Sequence, residues 1–194
     1  TTLTSEQAAI HSSILRTRPR TGLSGPFAPW LAVPFIAKPA QQLGRACRYD
    51  TSLSTRESEL IILLTGAKHR SHAEFDIHQG EALRSGIGLD VIESIPRDEE
   101  FSQKAVEDRL LPSLLLDHER DQNANSKREI AIVKFVAELL DTCTVDDTRY
   151  QFTKDAVGHD EVLVEIVAIV GYYTFVAYTL NVFNIPTGLS KENR

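Results

Sequence analysis

Apolar residues along this chain recur at helical spacing in several separate stretches. Residues 4–15 set Ala8, Ala9, Ile14 and Leu15 near one face, with Ser5 as N-cap, and the pattern ends before Pro19. Residues 127–140 repeat Ile130, Val133, Ala137 and Leu140, and residues 145–157 form a shorter, more polar helix closed by Gly158. Ser54-Thr55-Arg56-Glu57 is a capping box, in which the serine and the glutamate each satisfy a backbone donor of the other. The helix it starts continues as Leu60-Ile61-Ile62-Leu63-Leu64, apolar on every side, which marks a helix inside a bundle rather than on its surface.

The remaining stretches are less regular. Residues 22–39 carry Pro26, Pro29, Pro34 and Pro39 among Phe27, Trp30, Leu31 and Phe35, so short turns and helical pieces are expected there, and residues 1–50 read as an N-terminal wrap that lids a pocket or covers core. Helices are expected at 40–49, at 71–84 with a glycine exit at Gly86, at 90–95, and at 98–110 with Asp98 as cap. Pro112 and the polar run 117–126 interrupt the pattern, so 96–126 reads as an inserted surface loop region. Residues 161–183 are nearly as long and apolar as a membrane span. Glu161 and Glu165 in the first turns, dilution by Gly171, Thr174 and Thr179, and the lack of a flanking basic cluster favour instead a helix buried centrally or against another subunit. No turn signals divide the run into strands. The expectation is an all-α, single-domain helical bundle over residues 1–194.

Composition adds exclusions. Hydrophobic residues at 42% and charged residues at 25% are the balance of a soluble globular protein, so no membrane partner is expected. A net charge of -6 with scattered basic residues argues against nucleic acid as a partner. The two cysteines, Cys47 and Cys143, lack Cys-x-x-Cys spacing and indicate neither a disulfide framework nor a zinc site. Residues 1–20 show no basic start followed by an apolar core, so the expected location is cytoplasmic.

Candidate chemistry centres on Glu74 and His78, one helical turn apart and therefore on one face. A carboxylate beside an imidazole favours its protonated form, which suits a group that gives and takes protons near neutral pH. On spacing alone such a pair is more often a solvated helix face. Three neighbours shift the balance: Glu59 on the all-apolar helix, where desolvation disfavours the charged form and fits it for acid–base work, the histidines His69 and His72 at the hairpin corner, and Ser71 between them. His69, His72 and His78 lack the i,i+4 histidine pair of the zinc hydrolase motif, so no metal is expected. Tyr172 and Tyr173 are phenol donors or aromatic core. Arg48 either binds an acidic group on a substrate or simply pairs with Asp50.

At these residues the chain resembles the carboxymuconolactone decarboxylase and alkylhydroperoxidase D-like superfamily. The resemblance rests on the run from Leu53 to Leu63, on Glu74-Phe75-Asp76-Ile77-His78 and on residues 82–86, and extends through Gly25-Pro26-Phe27, the Arg48 region, Glu165, Gly171-Tyr172-Tyr173 and residues 181–186. It implies an all-helical homo-oligomer. Peroxidase members carry Cys-x-x-Cys-x-x-x-His with an upstream glutamate; here Ser71 and Glu74 stand at the cysteine positions, His78 at the histidine and Glu59 at the glutamate, so thiol peroxidase chemistry is not expected. Glu74 and His78 match the decarboxylase-like branch, whereas His69, Arg70 and His72 replace its usual aromatic and small residues. That departure resembles divergent fungal relatives that isomerise cyclic polyketide intermediates. The resemblance therefore implies a cofactor-free acid–base enzyme on a small cyclic substrate, with Glu59, Glu74, His78 and His72 catalytic and His69, Ser71, Arg48 and Tyr172 at the substrate. The added histidines rank isomerisation ahead of decarboxylation, and a non-catalytic oligomeric scaffold is the rival from another class.

Overall fold

A computed structural model of the chain describes residues 3–18, 24–120 and 125–186. These residues form one all-α domain, with no strand among them. In chain order the helices are α1 (Ser5–Thr17), α2 (Phe27–Leu31), α3 (Pro34–Tyr49), α4 (Thr55–Lys68), α5 (His72–Arg84), α6 (Leu89–Ser94), α7 (Gln103–Ala105), α8 (Leu111–Arg120), α9 (Ser126–Thr142), α10 (Asp147–Val157) and α11 (Asp160–Val182).

The bundle is built around α4. Its capping box forms in both directions: the Glu57 N–H donates to Ser54 Oγ at 3.1 Å and the Ser54 N–H to Glu57 Oε2 at 2.8 Å. From Arg56 to Ala67 every residue is buried, with α5, α9 and α11 packed around the helix. The chain reverses into α5 through Arg70 in the left-handed region (φ 54°), and the Ser71 N–H closes the turn on Gly66 O at 2.9 Å. Gly86 (φ 92°) and Gly158 (φ 91°) end α5 and α10 as glycine exits.

Several expectations are corrected. The N-cap of α1 is Thr4 rather than Ser5, its hydroxyl accepting from the Gln7 N–H at 3.2 Å. The proline-rich segment does not stay broken up to residue 40: α3 starts with Pro34 and runs through Pro39. The carbonyl that Pro39 leaves without a donor is that of Phe35, a residue 76% exposed and so open to hydration. The cap after residue 98 is Ser102 rather than Asp98, because residues 98–100 make a single 3₁₀ turn and Ser102 Oγ accepts from the Ala105 N–H at 3.1 Å. Nor does Pro112 stop the chain, since α7 passes through a π-helical segment, Val106–Leu110, into α8, and this wider turn absorbs the missing donor.

A further correction concerns the loop expected at 117–126, of which residues 121–124 lie outside the described residues. Asp117 and His118 belong to α8 and are buried in a charged network. Arg56 Nε donates to Glu129 Oε1 at 2.9 Å, Nη1 donates to Gly86 O at 2.6 Å and Nη2 pairs with Asp117. His118 Nε2 meets Glu129 Oε2 at 2.7 Å, and Arg128 Nε donates to Glu57. One guanidinium thus ties α4 to α8, α9 and the exit of α5. Replacing Arg56 with alanine leaves Asp117 and Glu129 buried without their cation, and should cost roughly 3–5 kcal/mol. Urea unfolding checks this, and Arg56→Lys should recover little of it because an ammonium lacks the planar fork.

Candidate active site

Glu59 stands in the second turn of α4, Glu74 and His78 lie on the face of α5 that packs against it, Arg48 closes α3, and Tyr172 and Tyr173 hang from α11. The close approach of α5 to α4 runs over Gly66, where a Cβ would lie 3.5–3.6 Å from Phe75 N and from the Glu74 side chain. The result is an imidazole held between two carboxylates. His78 Nδ1 is 2.7 Å from Glu59 Oε2 and Nε2 is 3.1 Å from Glu74 Oε1. Glu59, Glu74 and His78 are 1, 3 and 6% exposed.

With both ring nitrogens facing carboxylate oxygens, the arrangement asks both to donate, which only the imidazolium does. Burial pulls the His78 pKa down, but the charges and hydrogen bonds of Glu59 and then Glu74 outweigh it and push the pKa up to about 9. Arg48 Nη1 lies 3.2 Å from Glu59 Oε1 and Nη2 lies 3.7 Å from Glu81 Oε2. Burial lowers the Arg48 pKa, and neighbouring Tyr173 and Glu59 more than restore it. Tyr173 sets its ring edge-on to His78 at 5.2 Å, and Tyr172 sets its own edge-on to Tyr173 at 5.2 Å. Burial raises both phenols above their usual range, so they stay neutral donors.

Of the residues expected at the site, Glu59, Glu74, His78 and Arg48 come together, with Tyr172 one ring further out. Arg48 pairs with Glu59; the acid offered as its alternative, Asp50, is taken by Arg45 at 3.0 Å. His72 does not join them, because its side chain is 63% exposed and faces Asp98 at 3.7 Å. His69 caps the end of α4, with Nε2 3.0 Å from Thr174 Oγ1 and its ring edge-on to Tyr178, and burial followed by the charge of Lys68 lowers its pKa. Ser71 is 1% exposed at the start of α5, and its hydroxyl has no hydrogen-bond partner among the described residues. Of the two phenols that the sequence offered, Tyr173 rather than Tyr172 contacts the imidazole. One member of the cluster escaped sequence reasoning. Glu81 binds Arg48, and the spacing 74, 78, 81 along one face of α5 carried a signal for it.

Among the described residues no group of three or more His, Cys, Asp and Glu side chains is placed to hold a metal ion. The candidate chemistry needs a pocket beside His78. A cavity of about 650 Å³ is lined by Ser54, Arg56, Glu57, Arg128, Glu129 and His159 with their neighbours, and one of about 410 Å³ lies by Arg97 to Glu100. Neither touches Glu59, Glu74 or His78. The cluster is buried, and Arg48 and Glu81, with side chains 20 and 32% exposed, form its edge to solvent.

No family model, no curated protein and no solved structure matches this chain.

The folded-state pKa of His78 lies above its unfolded value, so its contribution to stability is complete below the unfolded pKa and is lost as pH rises through the folded one. The unfolding free energy should therefore fall between about pH 6.5 and about 9, by about 3 kcal/mol from the pKa difference. Denaturant titrations across that range should show the fall in wild type and its absence in His78→Gln. A second expectation concerns Gly44, buried in α3, where a Cβ would lie 2.0 Å from Tyr172 Oη and 2.2 Å from its Cζ. Gly44→Ala must displace a rigid buried ring and should cost roughly 1–3 kcal/mol, read as a lowered midpoint of thermal unfolding.

Proposed function

We propose that this chain is a cofactor-independent acid–base enzyme acting on a small, enolisable cyclic carbonyl compound, with His78 and Glu74 as the proton-transfer pair. The observation that carries this is the buried imidazole fixed at both nitrogens by carboxylates. Glu59, itself held by Arg48, accepts from Nδ1 and fixes the ring, which leaves Nε2 and Glu74 as the working couple. Glu74 as carboxylate takes a proton alpha to the carbonyl while the His78 Nε2–H hydrogen-bonds the oxygen on which negative charge develops. Returning the proton to a different carbon completes an isomerisation. In a carboxylated substrate the same donor stabilises the enolate formed as carbon dioxide leaves, and the enolate is then protonated. The unpartnered Ser71 hydroxyl, one turn before Glu74, is a further donor for a substrate oxygen.

Substrate reaches this couple by parting the Arg48–Glu81 edge, the members of the cluster that touch solvent. The resemblance to the decarboxylase-like branch supports the substrate class. With His69 and His72 engaged elsewhere, the extra histidines no longer rank isomerisation above decarboxylation. A second reading, a scaffold in which the cluster only ties helices together, is favoured by one observation: every charge in the cluster is paired and neither cavity reaches it.

Incubation with a panel of cyclic keto compounds and keto acids in heavy water, followed by NMR and carbon dioxide detection, separates these readings. The enzyme should exchange or convert at least one compound, and Glu74→Gln and His78→Gln should each slow it about 10²–10⁴-fold while the helical circular dichroism is kept. Gas release selects decarboxylation and deuterium uptake without gas selects isomerisation. Exchange that persists in both variants, or a wild type inert toward the whole panel, overturns the proposal in favour of the scaffold.

A further inference from the structure

The outward face of α11 is apolar almost from end to end. Val164, Val167, Phe175, Tyr178 and Val182 are 69, 48, 40, 54 and 72% exposed, and Gly171 lies exposed among them. Glu165, the single charged residue between Val164 and Val182, is turned aside to accept from the N–H and the hydroxyl of Ser52. A stripe of this kind on a soluble fold marks a contact surface.

Two observations say what covers it. The first is Gly171 itself. Glycine in the middle of a helix costs stability, and here a Cβ would meet no heavy atom within 4 Å, so nothing inside the subunit requires its absence. A bare backbone on an exposed helix face permits the close approach of a second backbone. The second observation is the spacing, which is symmetric about Gly171. Val167 and Phe175 stand four residues to either side, Val164 and Tyr178 seven, and Glu161 and Asn181 ten. A two-fold contact requires each residue to meet its complement twice, once from each copy. Antiparallel helices crossing at Gly171 satisfy this: Val167 meets the partner's Phe175 and Val164 meets the partner's Tyr178, small against large, with a carboxylate facing an amide at each end.

We propose that α11 is the two-fold contact of a homodimer, the two copies crossing antiparallel with Gly171 against Gly171. Both aromatic residues are already fixed for this, since Phe175 stacks on Trp30 at 4.8 Å and 5° and Tyr178 is edge-on to His69 at 4.9 Å, so little ordering is left for association. With Phe183, 59% exposed, three aromatic and three valine side chains about half exposed present on the order of 500 Å², an aromatic one amounting to roughly 150–250 Å² in full and a valine to less. That is below the ~800 Å² per partner of a standard stable interface, so the dimer should be a reversible one that forms at micromolar concentrations and above. α11 is also long and apolar enough to cross a membrane, but its other face is packed into the bundle, so a span would have to tear the domain apart. The dimer stands independently of the acid–base reading.

Sedimentation velocity or light scattering on the full chain at tens of micromolar should give a dimer. Gly171→Leu, which adds a side chain into open space within the subunit, should keep the helical circular dichroism and yield a monomer. In a Cys143→Ser background, Gly171→Cys should cross-link to itself on mild oxidation. Val164→Cys should cross-link only when Tyr178→Cys is also present. A wild-type monomer overturns the proposal, whether the stripe proves to be covered by residues 187–194 (freed for cysteine labelling by their deletion) or inserts into phospholipid vesicles (co-flotation). So does a dimer that survives Gly171→Leu or in which Gly171→Cys fails to cross-link.

Discussion

A helix buried on all sides that nonetheless carries charge sets the constraint from which the rest of this structure follows. Arg56, Glu57 and Glu59 are consecutive or nearly so on α4, and each is less than a tenth exposed. No rotation of α4 turns all three to water, because a neighbouring helix stands on every side. Each charge therefore has to be met by an opposite one from a surrounding element: Arg56 by Asp117 and Glu129, Glu57 by Arg128, Glu59 by Arg48 and His78. Apolar packing of Leu60 to Leu64 supplies cohesion but is tolerant of small shifts in register. The ion pairs are not tolerant, since a buried charge left unpaired is strongly destabilising, and they fix which helix lies where.

The two clusters at this end of α4 have different chemical capacities. Around Arg56 a guanidinium that never loses its proton makes bonds from Nε, Nη1 and Nη2 and serves to hold elements together. Around Glu59 the central cation is an imidazole, whose proton can leave. Its neighbours are two carboxylates on the ring nitrogens and a neutral phenol at the ring edge, so the proton is retained to about pH 9 and yet can pass to either carboxylate. This difference, more than burial, makes the second cluster the candidate for chemistry.

Local signals in the sequence translated well into structure. The box at Ser54, the glycine exits at Gly86 and Gly158, and the i,i+4 pair Glu74 and His78 are all written within one or two helical turns, and the structure has them where the residues put them. What escaped depends on distance along the chain. Asp117 and His118 read as loop because polar residues after a proline usually are, and only the presence of Arg56 and Glu129 across the core makes their burial favourable. Arg48 had an acid two residues away and took one eleven residues away, because Asp50 is held by Arg45 at the surface whereas Glu59 needs a cation inside. His72 precedes Glu74 by two residues, a spacing that turns it to a different face of α5 and out to solvent.

α11 brings the interior and the surface of the molecule into one element. Gly171 lies on its outer face, and the next two residues, Tyr172 and Tyr173, turn inward, the first filling the space over Gly44 and the second roofing His78. A rigid helix cannot shift at one of these positions without shifting at the others. A second copy seated on the outer stripe, as proposed, would therefore clamp the backbone from which both phenols hang. Tyr173 stands between the imidazole and that backbone, so its 5.2 Å contact excludes water only as long as α11 keeps its place. Loss of the outer contact would loosen this roof, admit water to the ring and weaken the hold of Glu59 and Glu74 on its proton, since charges attract less strongly once water screens them. In such a dimer the apolar face that reads as a surface liability in a single subunit would help to keep water from the buried cluster around His78.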